Sequence, residues 1–104
     1  MLVLPIKKKW FDMIKSGEKK EEYREIKPYY DTRIGKLLVL QTLISKLDGV
    51  GFVTNIQLRN GYGKDKPTLL CECEVSKGYG KEEWGAEPNK LYYVLKILSV
   101  EEIC

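Results

Sequence analysis

Lys19, Glu22 and Arg24 place an amine, a carboxylate and a guanidinium close together, just after Ser16-Gly17. Such a group supports two kinds of chemistry. The two cations can hold phosphate oxygens, the guanidinium as a planar fork and the ammonium as a point charge. Alternatively, a lysine stripped of water can act as a base, with Glu22 and Arg24 fixing its position. The nearby Glu22 works against that second use, because a negative neighbour favours the protonated amine. Further along the chain, Arg59 and Asn60 stand at a strand end where they could meet a base edge, although Asn60-Gly61 is equally a turn signal. Tyr62 and Trp84 lie in glycine-containing stretches, among aromatics suited to stacking on bases. The expected ligand-binding set is therefore Lys7, Lys19, Arg24 and Arg59 for phosphates, Asn60 for a base edge, and Tyr62 or Trp84 for stacking.

The composition suits one domain able to fold alone. There are 104 residues, 43% hydrophobic and 32% charged, enough for a single core and too few for two. The formal charge of +3 is modest, but eight of the eighteen basic residues, from Lys7 to Lys27, fall in the first 27 positions. A local basic surface matters more than that sum. The absence of histidine excludes any histidine-based triad or metal site. Cys71, Cys73 and Cys104 are too few and too irregular for a zinc site or a disulfide framework. Nothing in the pattern calls for a metal or another cofactor. Met1 to Ile6 is too short for a signal peptide, and its order, apolar before basic, is reversed. No run approaches the roughly 20 apolar residues of a membrane span, so a cytoplasmic protein is expected.

The elements that must position these residues follow from periodicity. Leu2 to Ile6 suits a buried strand. Trp10, Met13 and Ile14 make a short helical stripe, stopped by a left-handed residue at Gly17. From Glu18 to Glu25 seven of eight residues are charged, and a helix would stack like charges at Glu18/Glu22, Lys20/Arg24 and Glu21/Glu25. A strand is preferred, with Lys20, Glu22 and Arg24 on one face and Lys19, Glu21, Tyr23 and Glu25 on the other. Charged on both faces, it must be a solvated edge or line a polar cleft. Pro28 opens a helical turn, and Ile34 to Leu47 carries a helical face, with Leu37 to Leu40 also readable as a buried strand. Phe52 to Leu58 and Leu69 to Val75 alternate as half-buried strands. Lys77 to Asn89 reads as a long loop, and Tyr92 to Leu98 as a central strand. About five strands with one or two short helices make a small α+β domain, a mixed barrel or sheet spanning residues 1–104.

Leu4-Pro5-Ile6-Lys7, the helix after it, and Ser16-Gly17-Glu18-Lys19 with Glu22 and Arg24 resemble the ASCH domain family, with its Gly-x-Lys-x-x-Glu-x-Arg motif. Arg59-Asn60-Gly61-Tyr62 and Glu83-Trp84-Gly85-Ala86-Glu87-Pro88, followed by Tyr92-Tyr93-Val94, resemble its phage and prophage members. The resemblance implies a PUA-like β-barrel with a cleft beside the motif, related to RNA-binding modules. Some members of the family are amidohydrolases that deacetylate N4-acetylcytidine nucleosides with a lysine, a hydroxyl three positions later, and a distant acid. Lys19 matches the lysine, Glu22 stands in place of the hydroxyl, and Glu83 or Glu87 matches the acid. The leading expectation is a module that binds RNA or a nucleotide-like ligand. The alternatives are a metal-free nucleoside amidohydrolase using Lys19, Glu22 and Glu87, and a protein-interaction module.

Overall fold

A computed structural model describes residues 1–48 and 53–104. The chain runs β1 (Leu2–Pro5), α1 (Lys8–Lys15), β2 (Glu21–Glu25), α2 (Pro28–Tyr30), a π-helical turn (Asp31–Gly35), α3 (Lys36–Asp48), β3 (Thr54–Arg59), β4 (Thr68–Tyr79), a 3-10 turn (Glu82–Trp84) and β5 (Leu91–Glu102). The fold is a small α+β domain built on one curled, mixed five-stranded sheet. Its strand order is β1-β3-β4-β5-β2, with β1 parallel to β3 and every other pair antiparallel. The two strands that flank α1 in sequence therefore form the two opposite edges. A register shift at Glu72/Cys73, where β4 meets β5, supplies the bulge that helps such a sheet curl.

The alternation predicted for β4 is present: Leu69, Cys71, Cys73 and Val75 are buried while Glu72 and Glu74 are exposed. They meet Leu4, Ile56, Leu58, Tyr93 and Leu95 in the core, closed by Phe11 and Ile14 of α1 and by Ile34. Both β4 and β5 run further than their periodicity indicated. Lys77 to Tyr79 still pairs with Leu91 to Tyr93, so the expected long loop shrinks to the segment that contains the 3-10 turn. Main-chain pairing there overrides the glycine signal of Gly78.

Residues 37–40 are helical, which removes the buried-strand alternative. Within α3, Leu37 and Leu38 pack on the core, whereas Val39, Leu40 and Leu43 are exposed. Gln41 anchors the helix by donating Nε2–H to the Val75 carbonyl at 2.7 Å and accepting the Val75 N–H at 2.8 Å. Val75 lies beyond the stretch of β4 that β3 covers, so this side-chain amide stands in for a neighbouring strand. Phe52, the expected start of the strand that becomes β3, lies outside the described residues. No helix among those described is long and apolar enough to cross a membrane.

The core holds several acidic hydrogens that make the fold sensitive to alkali. Burial pushes the Cys71 thiol up to about 11 and the Cys73 thiol up to about 12. Tyr23 rises to about 12, chiefly by burial, and Tyr93 to about 12, chiefly because its hydroxyl donates to Asp31 at 2.6 Å. Above pH 9 the unfolded chain releases thiol protons that the folded chain retains, so these groups make stability fall as pH rises and outnumber Lys19, whose lowered pKa acts the other way. The urea midpoint is expected to drop steadily between about pH 9 and 11, with a shallower slope in Cys73→Ala.

Candidate functional site

The strand alternation expected for the charged segment holds only from Glu21 onward, because β2 begins there. Lys19 belongs to the turn that leaves α1, where Gly17 is left-handed at φ +86° and the Lys19 N–H bonds the Met13 carbonyl at 2.9 Å. That turn swings Lys19 onto the Glu22 side. Glu22 and Arg24 stand opposite Leu95 and Tyr93 across the β2/β5 ladder, on the core side of the sheet. Charges thus enter the core side of the sheet at an edge strand, where Glu22 and Arg24 border a cleft, as one reading of the segment expected, and Lys19 and Glu22 are also buried. They do so by pairing with each other.

The Lys19 ammonium, its side chain fully shielded, lies 3.2 Å from Glu22 Oε1 and donates to the Trp84 carbonyl at 2.7 Å. It also sits 5.1 Å from the centre of the Trp10 ring and 4.8 Å from that of Tyr23, where ring quadrupoles attract a cation. Glu22 uses its other oxygen for Arg24, accepting from Nε at 3.2 Å and Nη2 at 2.7 Å. Arg24 Nη2 also donates to the Pro5 carbonyl at 2.7 Å, and Nη1 to the Tyr30 hydroxyl at 3.3 Å. Because Pro5 ends β1 and Arg24 lies on β2, this side chain ties one edge of the curled sheet to the other. Every buried side-chain nitrogen and oxygen among the described residues has a partner.

Desolvation lowers the Lys19 pKa from its ordinary value, with Glu22 opposing the shift. For Arg24, burial pulls the pKa downward, but the Glu22 charge and the hydrogen bonds that Arg24 donates to Tyr30 and Glu22 leave it raised. The geometry thus stabilises a protonated guanidinium, whereas the Lys19 ammonium is stripped of solvent and supported by Glu22.

In front of this ion triad opens a cleft of about 610 Å³. Its lining includes Glu22, Arg24, Lys7, Trp10, Trp84 and Glu87. Two glycines let the Trp84 segment approach. Gly85 is left-handed at φ +100°, and a Cβ there would come within 3.0 Å of the Trp10 ring. A Cβ on Gly80 would come within 2.6 Å of the Tyr23 ring and 2.7 Å of Ala86. The same segment is pinned by hydrogen bonds from the Lys81 N–H to the Tyr23 hydroxyl at 3.0 Å and from the Glu87 N–H to the Tyr92 hydroxyl at 3.0 Å.

Of the residues singled out by sequence, Lys7, Glu22, Arg24, Trp84 and Glu87 come together around this cleft, while Lys19 pairs with Glu22 without lining it. Glu87 borders the cleft and pairs with Lys90 at 3.0 Å, whereas Glu83 is exposed and outside the lining. Arg59 and Tyr62 lie in a second depression. Asn60 Nδ2 donates to the Ile6 carbonyl at 3.0 Å, fastening the β3–β4 loop to the end of β1. Trp10, placed by its spacing on the apolar stripe of α1, packs on the core and also lines the cleft. Its helical stripe is completed inward by Phe11 and Ile14.

Sequence reasoning missed Lys27, Lys90 and Tyr92 as lining residues. Tyr92 was legible only as part of an apolar run, and its placement opposite Glu25 depends on the β2/β5 register. Among the described residues no cluster of three or more His, Cys, Asp or Glu side chains is arranged to hold a metal ion. No family model, curated protein or solved structure matches the chain.

Proposed function

We propose that the protein binds a nucleotide-like ligand in the main cleft, with its base against the aromatic side chains of the lining and its phosphate among the surrounding cations. The observation that carries this reading is that both tryptophans of the chain, Trp10 and Trp84, line one cleft whose lining also holds Lys7, Arg24, Lys27 and Lys90. Aromatic faces beside cations suit bases and phosphates, and stacking contributes about 1–3 kcal/mol per base. The reading agrees with the resemblance to ASCH domains and with their relation to RNA-binding modules.

Binding is favoured over hydrolysis by the state of Lys19. To serve as a base it would have to leave both Glu22 and the Trp84 carbonyl, and its side chain has no exposed surface. The alternative of a nucleoside amidohydrolase using Lys19, Glu22 and Glu87 predicts conversion of N4-acetylcytidine that disappears in Lys19→Ala. The binding reading predicts none.

Because both indoles border the cleft, tryptophan fluorescence reports on it directly. Titration with nucleosides, nucleoside monophosphates and short RNAs at low salt is expected to give saturable quenching, with phosphate-bearing ligands binding less tightly as salt rises. Unchanged fluorescence with the whole panel, together with no bound ligand by equilibrium dialysis, would overturn the proposal.

A further inference from the structure

Beside the main cleft lies a second depression of about 510 Å³, bounded by Tyr29, Arg59 and Tyr62. Pro5, Lys27 and Tyr30 border both depressions, so they form the ridge between them. The two hollows differ in charge. The main cleft mixes Lys7, Arg24, Lys27 and Lys90 with Glu22, Glu25 and Glu87, whereas the second is bordered by Lys27 and Arg59 with no carboxylate in its lining.

Its aromatics are also presented differently. Tyr62 is 86% exposed at the tip of the β3–β4 loop and Tyr29 is 51% exposed, far more than core packing requires. The surfaces beneath them are held in place. Arg59 Nε donates to Thr68 Oγ1 at 3.1 Å, Asn60 fastens the loop to Ile6, and Tyr29 packs edge-on against Tyr30 at 4.9 Å between ring centres. Lys27 sits 5.6 Å from the Tyr30 ring centre, on the ridge itself.

Resting on the nucleotide reading of the main cleft, we infer that the second depression is a subsite for the next nucleotide, so that the ligand is a single strand rather than a free mononucleotide. One base occupies the main cleft, the bridging phosphodiester crosses the Pro5–Lys27–Tyr30 ridge between Lys27 and Arg59, and the following base lies on Tyr62, since the Arg33 guanidinium already covers the Tyr29 ring at 3.7 Å. A phosphodiester carries one negative charge and projects two free oxygens, which matches a ridge with cations and no acid on its far side. Stacking on exposed tyrosines tolerates any base, so the subsite adds affinity without strong sequence preference.

The test compares adenosine 5′-monophosphate with three-nucleotide adenine strands of RNA and DNA, in the wild type and in Tyr62→Ala. The strands are expected to bind about tenfold more tightly than the mononucleotide, and this advantage to shrink to about twofold or less in Tyr62→Ala. Arg59→Met provides a second variant, expected to reduce both the advantage and the salt dependence of strand binding. Mononucleotide binding that equals strand binding, with Tyr62→Ala leaving that ratio unchanged, would overturn the subsite while sparing the main cleft. Failure of both ligand types to bind would overturn the nucleotide reading and the subsite with it.

Discussion

Glu22→Ala is expected to destabilise the fold by about 3–5 kcal/mol, the usual cost of removing one partner from a buried ion group. Glu22 is the only carboxylate of the triad and faces Lys19 on one oxygen and Arg24 on the other. Its loss leaves an ammonium with a fully shielded side chain and a guanidinium whose side chain is 11% exposed, with the Trp84 and Pro5 carbonyls and the aromatic rings to hold them. The variant should also reveal itself through pH. Burial already lowers the Lys19 pKa and Glu22 opposes that, so without Glu22 the folded-state value falls further.

Between that lowered value and 10.5 the unfolded chain holds a proton that the folded chain has released. Stability of the variant should therefore rise with pH through that window, up to where the thiols begin to titrate near pH 9. Urea midpoints measured from pH 6 to 9 are expected to climb more steeply in Glu22→Ala than in wild type. Equal slopes, with a loss of stability under about 1 kcal/mol, would mean that the triad is not buried in solution as described.

Arg24→Ala has the second largest expected effect, because one side chain serves three partners. It neutralises Glu22, meets the Tyr30 hydroxyl, and reaches the Pro5 carbonyl at the opposite edge of the sheet. A loss of about 3 kcal/mol is expected from breaking the buried pair, accompanied by faster amide exchange along β1 and β2, the two strands it ties together. Arg24→Lys is expected to recover only part of that loss, since a lysine amine cannot present a planar fork to Glu22 while also bonding Pro5. Full recovery in Arg24→Lys would show that charge alone, and not the two-edge link, accounts for the effect.

Much of the architecture was legible in local pattern. The β4 alternation at Leu69, Cys71, Cys73 and Val75 reads directly as one buried face, and like-charge spacing argued correctly for a strand rather than a helix at Glu21 to Glu25. What local pattern could not supply is anything set by pairing across the sheet. The reach of β4 to Tyr79 depends on β5 lying beside it, and the burial of Glu22 depends on Lys19 arriving from a turn rather than from the strand.

The candidate site divides in the same way. Lys7, Glu22, Arg24, Trp84 and Glu87 were identifiable as residue types, but that they share one cleft while Arg59 and Tyr62 border another is a consequence of topology. The exposed Val39, Leu40 and Leu43 on α3 mark the opposite case, since their apolar character suggested burial that the helix does not provide.

The central claim, that the cleft lined by Trp10 and Trp84 receives the ligand, is tested most directly by amide and indole chemical-shift mapping during titration with a short RNA. The account predicts the largest shifts at the Trp10 and Trp84 indole N–H groups and at the Lys7, Gly85 and Lys90 amides, with smaller ones at Gly61 and Tyr62. Shifts confined to α3, or both indoles unmoved while the RNA binds, would contradict it.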